Sequence, residues 1–549
     1  MSIDAFLNSC RAIACEALRW MGNKVFIRGA SQGRVLQFLA LLWGLMGFTA
    51  YAADKPNILF IYTDDQSTRT VSAYEDAYHW VDTPNIDRLA DEGVRFKQAN
   101  IGSWCMASRA SILTGLQQHS VESMRMTGPN PMNVYDPELC QFWPKSFREQ
   151  GYYTAQIGKW HTGVDSGYGR DWDHQIVWNR PKYPENAPYY YYNQLIEFDG
   201  SDPVLMEGYT TDLYTDWAVD FIKGAKRDPH KPWYLWLCYG AVHAPFTPAE
   251  RHLDEYTDVT EPKIRDVFPP RGGKPAYARD MQFWEPGDDG LPVEKARSGK
   301  VPVGMQDLPG RPLKDWIRQY QLGVLAIDEG VGRLLEALEE TGQYDNTLIV
   351  FTSDQGFAWG QHGMKSKVAP YYATIAAPLV FRLPESMAKA NRSRGTVVTE
   401  PVTAVDLPVT FFSMAGLKMP WQMHGYDLTP LLKNPEADWS KPSLLTHTAK
   451  QYGSDTDEIP ETGDPNLYHG PGIPWYVLLG QGRYKYVRTL VEGEPEELYD
   501  MVSDPEELRN LAMDPNYRKL LQAYRKTAIK ELKRTGAGFA NNMPSVATE

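Results

Sequence analysis

The 549-residue sequence predicts an α/β fold, in which a large sheet is flanked by helices and a smaller α+β domain follows at the C-terminus. Four continuous apolar runs have the composition of strands buried on both faces, and segments with helical spacing alternate with them. Each run is followed by acidic residues, basic residues or histidines. Ligands of open α/β sheets bind beyond the carboxyl ends of the strands, so the sequence predicts one site along that edge.

The predicted elements follow one another in order. The first strand covers residues 57–62, and the helix after it has Thr83 as N-cap, Pro84 at its first position and Gly93 as its stop. Further strands are predicted at 152–157, 233–239 and 347–351, and a further helix at 315–338. Residues 253–312 are rich in Pro, Gly and charge, and are interpreted either as an excursion over the rim of the site or as surface decoration.

Three regions are predicted along the chain: a leader at 1–53, a catalytic domain at 54–442 and a C-terminal subdomain at 443–549. In the leader, Arg28 and Arg34 precede an apolar stretch, and Ala50 and Ala52 have the spacing of a signal-peptidase site. An exported protein, periplasmic or secreted, is therefore expected, with an uncleaved anchor as the alternative. In the C-terminal subdomain, residues 475–479 and 484–487 alternate like two antiparallel strands around a glycine turn.

The charge of the chain limits its partners. Residues 1–53 hold five basic and two acidic residues, so removing them takes the formal net charge from −13 to about −16. Such an acidic body is poorly suited to nucleic acid, and no membrane association is expected after the leader is cleaved. An anionic substrate would need a local cationic pocket.

Three cysteines follow the leader, and this odd number leaves at least one free thiol. A disulfide between Cys140 and Cys238 is left open. Cys105 opens a predicted helix three residues ahead of Ser108 and Arg109, and a helix N-terminus stabilises an anion. From its neighbourhood alone, Cys105 fits a thiolate nucleophile, a buried structural residue or a modification site.

Acidic residues follow two of the predicted strands. Asp64 and Asp65 come after the first strand, and Asp354 and Gln355 come after the last. Their oxygens are hard ligands, which suit Ca²⁺ or Mg²⁺ better than zinc. Two ordinary acidic turns are the simpler interpretation, but the matched positions at strand ends favour a metal site.

Basic side chains and histidines are predicted at the same edge of the sheet. The cationic set comprises Arg109, Lys159, His161, His243, His362, Lys365 and Lys367. A divalent ion and several cationic side chains in one pocket suit a compact tetrahedral oxyanion such as sulfate or phosphate. His161 and His243 are the candidates for proton transfer, because histidine titrates near neutral pH.

Several of these segments resemble the motifs of type I sulfatases and occur in that family's order. The resemblance rests on residues 105–109 (Cys-Met-Ala-Ser-Arg) with 113–115 (Leu-Thr-Gly), 158–161 (Gly-Lys-Trp-His), 243–246 (His-Ala-Pro-Phe), 353–356 (Ser-Asp-Gln-Gly), 498–500 (Leu-Tyr-Asp) and 504–506 (Asp-Pro-Glu). It extends from residue 57 to about residue 512. It implies an alkaline-phosphatase-like fold, with a large mixed sheet flanked by helices and a smaller C-terminal domain.

The resemblance also implies a nucleophile and a metal. Cys105 would be oxidised to formylglycine by a formylglycine-generating maturation enzyme, and a hydroxyl of the hydrated aldehyde would attack sulfur. The metal would be Ca²⁺ in preference to Mg²⁺ and would polarise the sulfate oxygens. Its ligands would be Asp64, Asp65, Asp354 and Gln355.

The remaining roles are carried over by matching position. Arg109 and Lys159 would steady the formylglycine hydrate, and His161 would be its base. His243 and Lys367 would bind sulfate and assist the leaving oxygen. Lys367 matches better than Lys365, because the family's His-Gly-x-x-x-Lys spacing begins at His362.

The chain departs from the family pattern in two places. Ala107 replaces the commoner Pro, which bears on the efficiency of conversion to formylglycine. Tyr372 and Ala373 replace a common Glu pair, which bears on the surrounding pocket.

The substrate is expected to be a sulfated polysaccharide or oligosaccharide, by analogy with exported bacterial relatives of the family. The candidates to stack on sugar rings or bind ring hydroxyls are Trp172, Trp178, the tyrosines at 189–192 and the turn at 169–171, with loop packing as the alternative.

Two rival functions remain. One is a formylglycine-dependent phosphodiester or phosphonate monoester hydrolase. The other is a non-catalytic secreted glycan-binding protein in which Cys105 stays a thiol.

Overall fold

The centre of the fold is a ten-stranded mixed sheet. The computed structural model of the protein describes residues 55–126, 133–296, 308–388 and 394–547, and the predicted leader lies outside them. In chain order, the strands of this sheet are β1 (Asn57–Thr63), β2 (Val94–Phe96), β3 (Tyr153–Trp160), β4 (His174–Asn179), β5 (Gln194–Phe198), β6 (Val204–Met206), β7 (Trp233–Cys238), β8 (Thr347–Ser353), β9 (Leu379–Arg382) and β10 (Thr396–Val398).

The strands lie in the order β10-β2-β9-β8-β1-β7-β3-β4-β5-β6. The five central strands, from β8 to β4, run parallel, and antiparallel pairs adjoin them on both sides. β1, β7 and β8 are fully buried, as expected for strands covered on both faces. The predicted α/β fold is confirmed, and the carboxyl ends of these parallel strands meet at one edge.

Helices flank the sheet. Within the described ranges, the α-helices are α1 (Pro84–Asp91), α2 (Cys105–Thr114), α3 (Pro144–Glu149), α4 (Thr210–Ile222), α5 (Ala276–Arg279), α6 (Leu313–Glu340), α7 (Tyr372–Ile375), α8 (Glu385–Ala388), α9 (Asp406–Ala415), α10 (Thr429–Lys433) and α11 (Arg518–Arg534). The longest, α6, lies against α1 and α4. Its buried residues Trp316, Tyr320, Val324 and Ile327 recur at the helical spacing that the sequence predicts.

A second, smaller sheet lies towards the C-terminus. Its four antiparallel strands are β11 (Ser443–His447), β12 (Tyr476–Gln481), β13 (Tyr484–Thr489) and β14 (Glu496–Asp500), which lie side by side in chain order. An apolar cluster of its own joins this sheet to α11, apart from the main core. The predicted strand pair is confirmed as β12 and β13, whereas the domain boundary at residue 443 stays a prediction.

The three cysteines of the described ranges are free. The disulfide left open between Cys140 and Cys238 is therefore not formed. A helix with the length and the apolar composition of a membrane span is not found within the same ranges.

Candidate active site

The carboxyl ends of β1 and β8 bring the predicted acidic residues together. These strands are adjacent and pair in parallel along their whole length. The backbone N–H of Asp65 donates a hydrogen bond to Asp354 Oδ1 (2.9 Å), and Gln355 Nε2 donates to Asp65 Oδ1. Ligand atoms of Asp64, Asp65, Asp354 and Cys105 all lie within 4.8 Å of one another. We call these four residues the acidic cluster.

Cys105 is the first residue of α2 and lies against these carboxylates. Its Sγ donates to Asp64 Oδ1 (3.3 Å) and lies 3.0 Å from Lys367 Nζ. Burial, followed by the charges of Asp354 and Asp64, raises the pKa of the thiol to about 12. An unmodified Cys105 is therefore protonated at neutral pH, which disfavours its interpretation as a thiolate nucleophile.

A glycine allows α2 to approach the end of β8 this closely. A Cβ at Gly102 would lie 2.8 Å from the carbonyl oxygen of Asp354 and would overlap Ser108 Oγ. Any larger residue at position 102 would therefore push α2, with Cys105, away from the carboxylates of the acidic cluster.

Each carboxylate of the cluster is matched by a buried cation. The pairs are Lys159–Asp64, Arg109–Asp354 (3.2 Å) and Lys367–Asp65 (2.7 Å). Burial is the largest single influence and opposes ionisation of Asp64, but Lys159 and the neighbouring cations together outweigh it, and the pKa of Asp64 lies well below its usual range. Burial also works against the charge of Lys367, yet Asp65 and the other acidic groups around it together hold the pKa of this ammonium well above its usual value. The pocket thus keeps charges of both signs away from bulk water.

The two histidines predicted to transfer protons lie in the same pocket. Arg180 Nη1 lies 3.2 Å from His161 Nδ1. Burial, followed by the charge of Arg180, lowers the pKa of His161 well below its usual value. Burial, followed by Lys367, does the same to the pKa of His243. Both rings are therefore neutral near pH 7, which is the form that a general base needs.

His243 is oriented by its neighbours. Its Nδ1 donates to the carbonyl oxygen of Ala244 (2.8 Å), and its Nε2 lies 3.7 Å from Asp65 Oδ2. The ring stacks on Tyr190 with 4.0 Å between centroids. Because Nδ1 carries the proton, Nε2 presents its lone pair on the side of the acidic cluster.

Two members of the predicted cationic set have partners elsewhere. His362 Nδ1 lies 2.7 Å from Asp266 Oδ2, and Lys365 Nζ lies 2.6 Å from Glu294 Oε1. Both carboxylates belong to the region 253–312. Of the two lysines predicted near this point of the chain, Lys367 is the one whose ammonium contacts the acidic cluster.

The two tryptophans that were candidates for contact with sugar are packed inside the fold instead. Trp172 and Trp178 are 0% and 1% exposed, and the ring of Trp172 stacks on Trp236 inside the core. Tyr190 is also buried, and His243 covers its ring. Tyr189 is 48% exposed and stays a candidate for contact with sugar.

Arg180 belongs to the site, although sequence reasoning missed it. It is buried, contacts His161, and lies over the rings of Tyr190 (4.7 Å) and Trp178 (5.2 Å). It follows β4 directly, so its place at the end of a parallel strand was the signal that could have identified it.

The acidic cluster fits a hard divalent cation. Burial, followed by the charge of Asp64, raises the pKa of Asp354 to about 7, because three carboxylates share one buried space. A divalent ion would remove this repulsion. The oxygens of Asp64, Asp65, Asp354 and Gln355 are the donors that Ca²⁺ prefers.

The mixed sheet, with the acidic cluster and its paired cations at the carboxyl ends of the parallel strands, is the architecture of an alkaline-phosphatase-like hydrolase. The chain belongs to the sulfatase family, whose family model, described as Sulfatase, matches residues 56–417. By family, it is a sulfuric ester hydrolase.

Individual relatives and solved structures show what else the chain is similar to. The chain is 29% identical to the N-acetylglucosamine-6-O-sulfatase of Bacteroides thetaiotaomicron, in an alignment that covers 89% of this chain and 88% of that protein. A solved structure of a protein with its substrate, D-glucosamine-2-N,6-O-disulfate, matches with a TM-score of 0.72 at 27% identity, covering 88% of this chain and 99% of that one. The phosphonate monoester hydrolase of Agrobacterium radiobacter shares the fold, with a TM-score of 0.61 at 21% identity, covering 87% of this chain and 96% of that one.

Proposed function

We propose that this protein hydrolyses sulfate esters of a sulfated polysaccharide or oligosaccharide, with a formylglycine made from Cys105 and a Ca²⁺ ion in the acidic cluster. One observation carries the proposal: Cys105 Sγ lies within 4.8 Å of ligand atoms of three buried carboxylates. A structural thiol has no need of such neighbours, whereas a nucleophile that attacks a metal-bound ester does.

The position of each residue in the pocket indicates its role in the proposed reaction. Asp64, Asp65, Asp354 and Gln355 would hold the metal, which when bound polarises the oxygens of the ester. A hydroxyl at position 105 would need a base, and His161 is neutral and therefore able to accept its proton.

The remaining cations bind and orient the ester. Arg109 and Lys159 would steady the hydrated aldehyde from the side of α2 and β3. Lys367 Nζ, 3.0 Å from Cys105 Sγ, would bind the sulfate group and assist the oxygen that leaves. His243 would bind and assist the same group in its protonated form, because its neutral form has no proton on Nε2 to donate.

Similarity to glycan-active proteins supports a carbohydrate substrate. The N-acetylglucosamine-6-O-sulfatase of B. thetaiotaomicron and the structure that contains a sulfated glucosamine both cover most of the chain. The leader predicted at 1–53 supports export to the periplasm or the medium, where the protein would encounter sulfated polysaccharides. A formylglycine-generating enzyme would be the maturation partner.

A release assay tests the function. Protein matured through its own export route is incubated with sulfated polysaccharides, their oligosaccharides and matched sulfate, phosphate and phosphonate monoesters. We expect the protein to release sulfate from a glycan, and to do so with a higher kcat/KM than it shows for hydrolysis of any matched phosphorus ester. Peptide mass spectrometry in the same preparation should find position 105 as formylglycine.

Each contrary result identifies a different error. A preference for phosphorus esters would make the protein a phosphodiesterase or phosphonate monoester hydrolase. An intact thiol at position 105, with glycan binding but no release, would make it a binding protein.

A further inference from the structure

The residues that follow Lys367 adopt a strained backbone. We call residues 367–372 the Lys367 loop; it runs from the end of the short strand Lys365–Ser366 to Tyr372, the first residue of α7. Within it, Val368 has a φ of +88°, in the left-handed region that β-branched residues avoid. Such a backbone persists only where its surroundings hold it in place. The position of the Lys367 ammonium therefore depends on what holds this loop.

Two neighbouring strands of the C-terminal sheet bind carbonyl oxygens of the loop. Tyr476, on β12, donates its O–H to Val368 O (2.7 Å). Lys485, on β13, donates to Pro370 O (2.9 Å). Both side chains are buried, so water cannot replace either donor at low cost.

The next strand and the segment after it bind the rest of the loop. Tyr371 donates its O–H to Glu497 Oε2 on β14 (2.9 Å). The backbone N–H of Tyr372 donates to Glu507 Oε2 (2.6 Å), and Glu507 also forms an ion pair with Lys485. Four of the five residues from 368 to 372 thus bond to the C-terminal sheet or to the segment that follows it.

Stability alone explains this arrangement poorly. Lys485, Glu497 and Glu507 are buried charges, and well-packed apolar residues often stabilise a protein as much as buried ion pairs do. Hydrogen bonds, unlike apolar contacts, fix the position of the atoms that they join. Three hydrogen bonds of these groups end on atoms of the Lys367 loop, so these groups fix its position.

We propose that the C-terminal sheet and the segment that follows it form a positioning element for Lys367, in which Tyr476, Lys485, Glu497 and Glu507 set the place of its ammonium group beside Cys105. The inference rests on the proposed function, in which Lys367 binds the sulfate group and assists the leaving oxygen. Turnover is sensitive to this place, because a shift of about 1 Å in a catalytic group can lower a rate roughly a hundredfold.

A double-mutant cycle in the matured enzyme tests the inference. Tyr476→Phe keeps the buried ring and removes the hydroxyl that holds Val368, so kcat is expected to fall about tenfold. In a Lys367→Arg background, which retains a cation but not its position, the same change should lower kcat less than about twofold. Tyr371→Phe removes the hydrogen bond from the loop to Glu497. It is likewise expected to lower kcat strongly when residue 367 is Lys and only slightly when it is Arg.

Tyr486→Phe is the matched control. Tyr486 is a buried tyrosine of the same sheet, but its O–H donates to Glu496 (2.5 Å) and not to the loop. It should lower Tm as much as Tyr476→Phe does and leave kcat unchanged.

Two results would overturn the inference. One is an equal fold-loss of kcat for Tyr476→Phe in the two backgrounds. The other is a wild-type kcat in both Tyr476→Phe and Tyr371→Phe. The cycle uses whichever ester the wild-type enzyme cleaves best, so a preference for phosphorus esters would contradict the proposed function and leave this test intact.

Discussion

Cys105 is the residue on which the proposed chemistry depends most directly. Its Sγ contacts the carboxylate of Asp64 and the ammonium of Lys367 in a buried pocket. Cys105→Ala removes the group proposed to become formylglycine and changes the volume little. We expect kcat to fall by several orders of magnitude while Tm stays nearly constant, as measured by sulfate release and thermal unfolding.

Cys140→Ala is the control for this substitution. Cys140 is partly buried and free, and it is not part of the acidic cluster. Its removal should leave turnover unchanged. A Cys105→Ala enzyme that still turned over would show that another group is the nucleophile.

His161 and Arg180 together predict the pH dependence of activity. A base must be neutral, and burial and the charge of Arg180 hold the pKa of His161 below its ordinary value. The acid limb of the kcat/KM profile should therefore lie below about pH 6.5. Arg180→Gln removes the nearby cation, so the pKa of His161 rises and the acid limb moves to higher pH.

The comparison variant for this profile is Arg170→Gln. Arg170 pairs with Asp165 and Asp171, away from His161, and its removal should leave the acid limb in place. An Arg180→Gln limb at the wild-type position would show that His161 is not the group that titrates.

Single residues could be predicted where a strand end fixes their direction. Asp64, Asp65 and Asp354 follow parallel strands directly, so the sequence pattern placed them correctly. His362 and Lys365 lie in a loop and a short strand, where the sequence does not say which way a side chain points. Their partners, Asp266 and Glu294, come from the region 253–312, whose path no local pattern predicts.

At the scale of elements, a carboxylate on α6 holds the start of α1. Asp328 accepts the backbone N–H groups of Asn85 (3.1 Å) and Ile86 (2.8 Å) and the side-chain amide of Asn85 (2.8 Å). Thr83, at the N-cap position, makes no side-chain cap of its own. Asp328, which lies on a helix distant in sequence, thus caps α1 in place of Thr83.

Removing this long-range cap should destabilise the fold. Asp328→Ala leaves buried N–H donors without a partner, so we expect the free energy of unfolding to fall by about 1–3 kcal/mol. Glu329→Ala, one residue further along α6, removes an exposed ion pair with Arg251 and should lower it by less than about 1 kcal/mol. Denaturant unfolding of the two variants measures both values, and equal losses would contradict the capping role.

Elements were predictable where local patterns decide their form. The apolar runs of β1, β7 and β8 and the periodicity of α6 are strong local signals. β3 extends to Trp160, beyond the predicted end at residue 157, because Gly158 and Lys159 pair with β4 in spite of their weak strand propensity. The order of the strands depends on contacts between distant segments, which one sequence pattern does not contain.

At the scale of the whole molecule, the formal net charge of the sequence is −13, whereas the pocket concentrates cationic side chains. The C-terminal sheet was predictable as a strand pair, but not its bonds to the Lys367 loop, since those join residues more than 100 positions apart. The family resemblance supplied the roles of the site residues, and the fold explains why distant motifs meet.

The metal proposal has a consequence for the stability of the whole protein. Without a cation, the pKa of Asp354 is raised to about 7, above the value of about 3.9 in an unfolded chain. A raised carboxyl pKa stabilises the fold fully at pH values below the unfolded pKa, and this stabilisation is lost as the pH rises through about 7. The buried histidines, whose pKa values are lowered, change Tm in the opposite direction, so the difference in Tm between chelated wild-type protein and chelated Asp354→Asn isolates the contribution of Asp354. This difference should fall between pH 5 and pH 8.

Calcium should reverse this fall, because the ion binds the ionised carboxylates and competes with protons for them. The increase in Tm on adding Ca²⁺ should be larger at pH 8 than at pH 5, and larger than the increase with an equal concentration of Mg²⁺. Asp406, whose pKa burial also raises to about 7, contributes a fall of the same sign. Asp354→Asn is therefore the control: it should keep the Asp406 part of the pH dependence and lose most of the response to Ca²⁺. A chelator that left the Tm of the wild-type protein unchanged at pH 8 would show that the acidic cluster holds no metal.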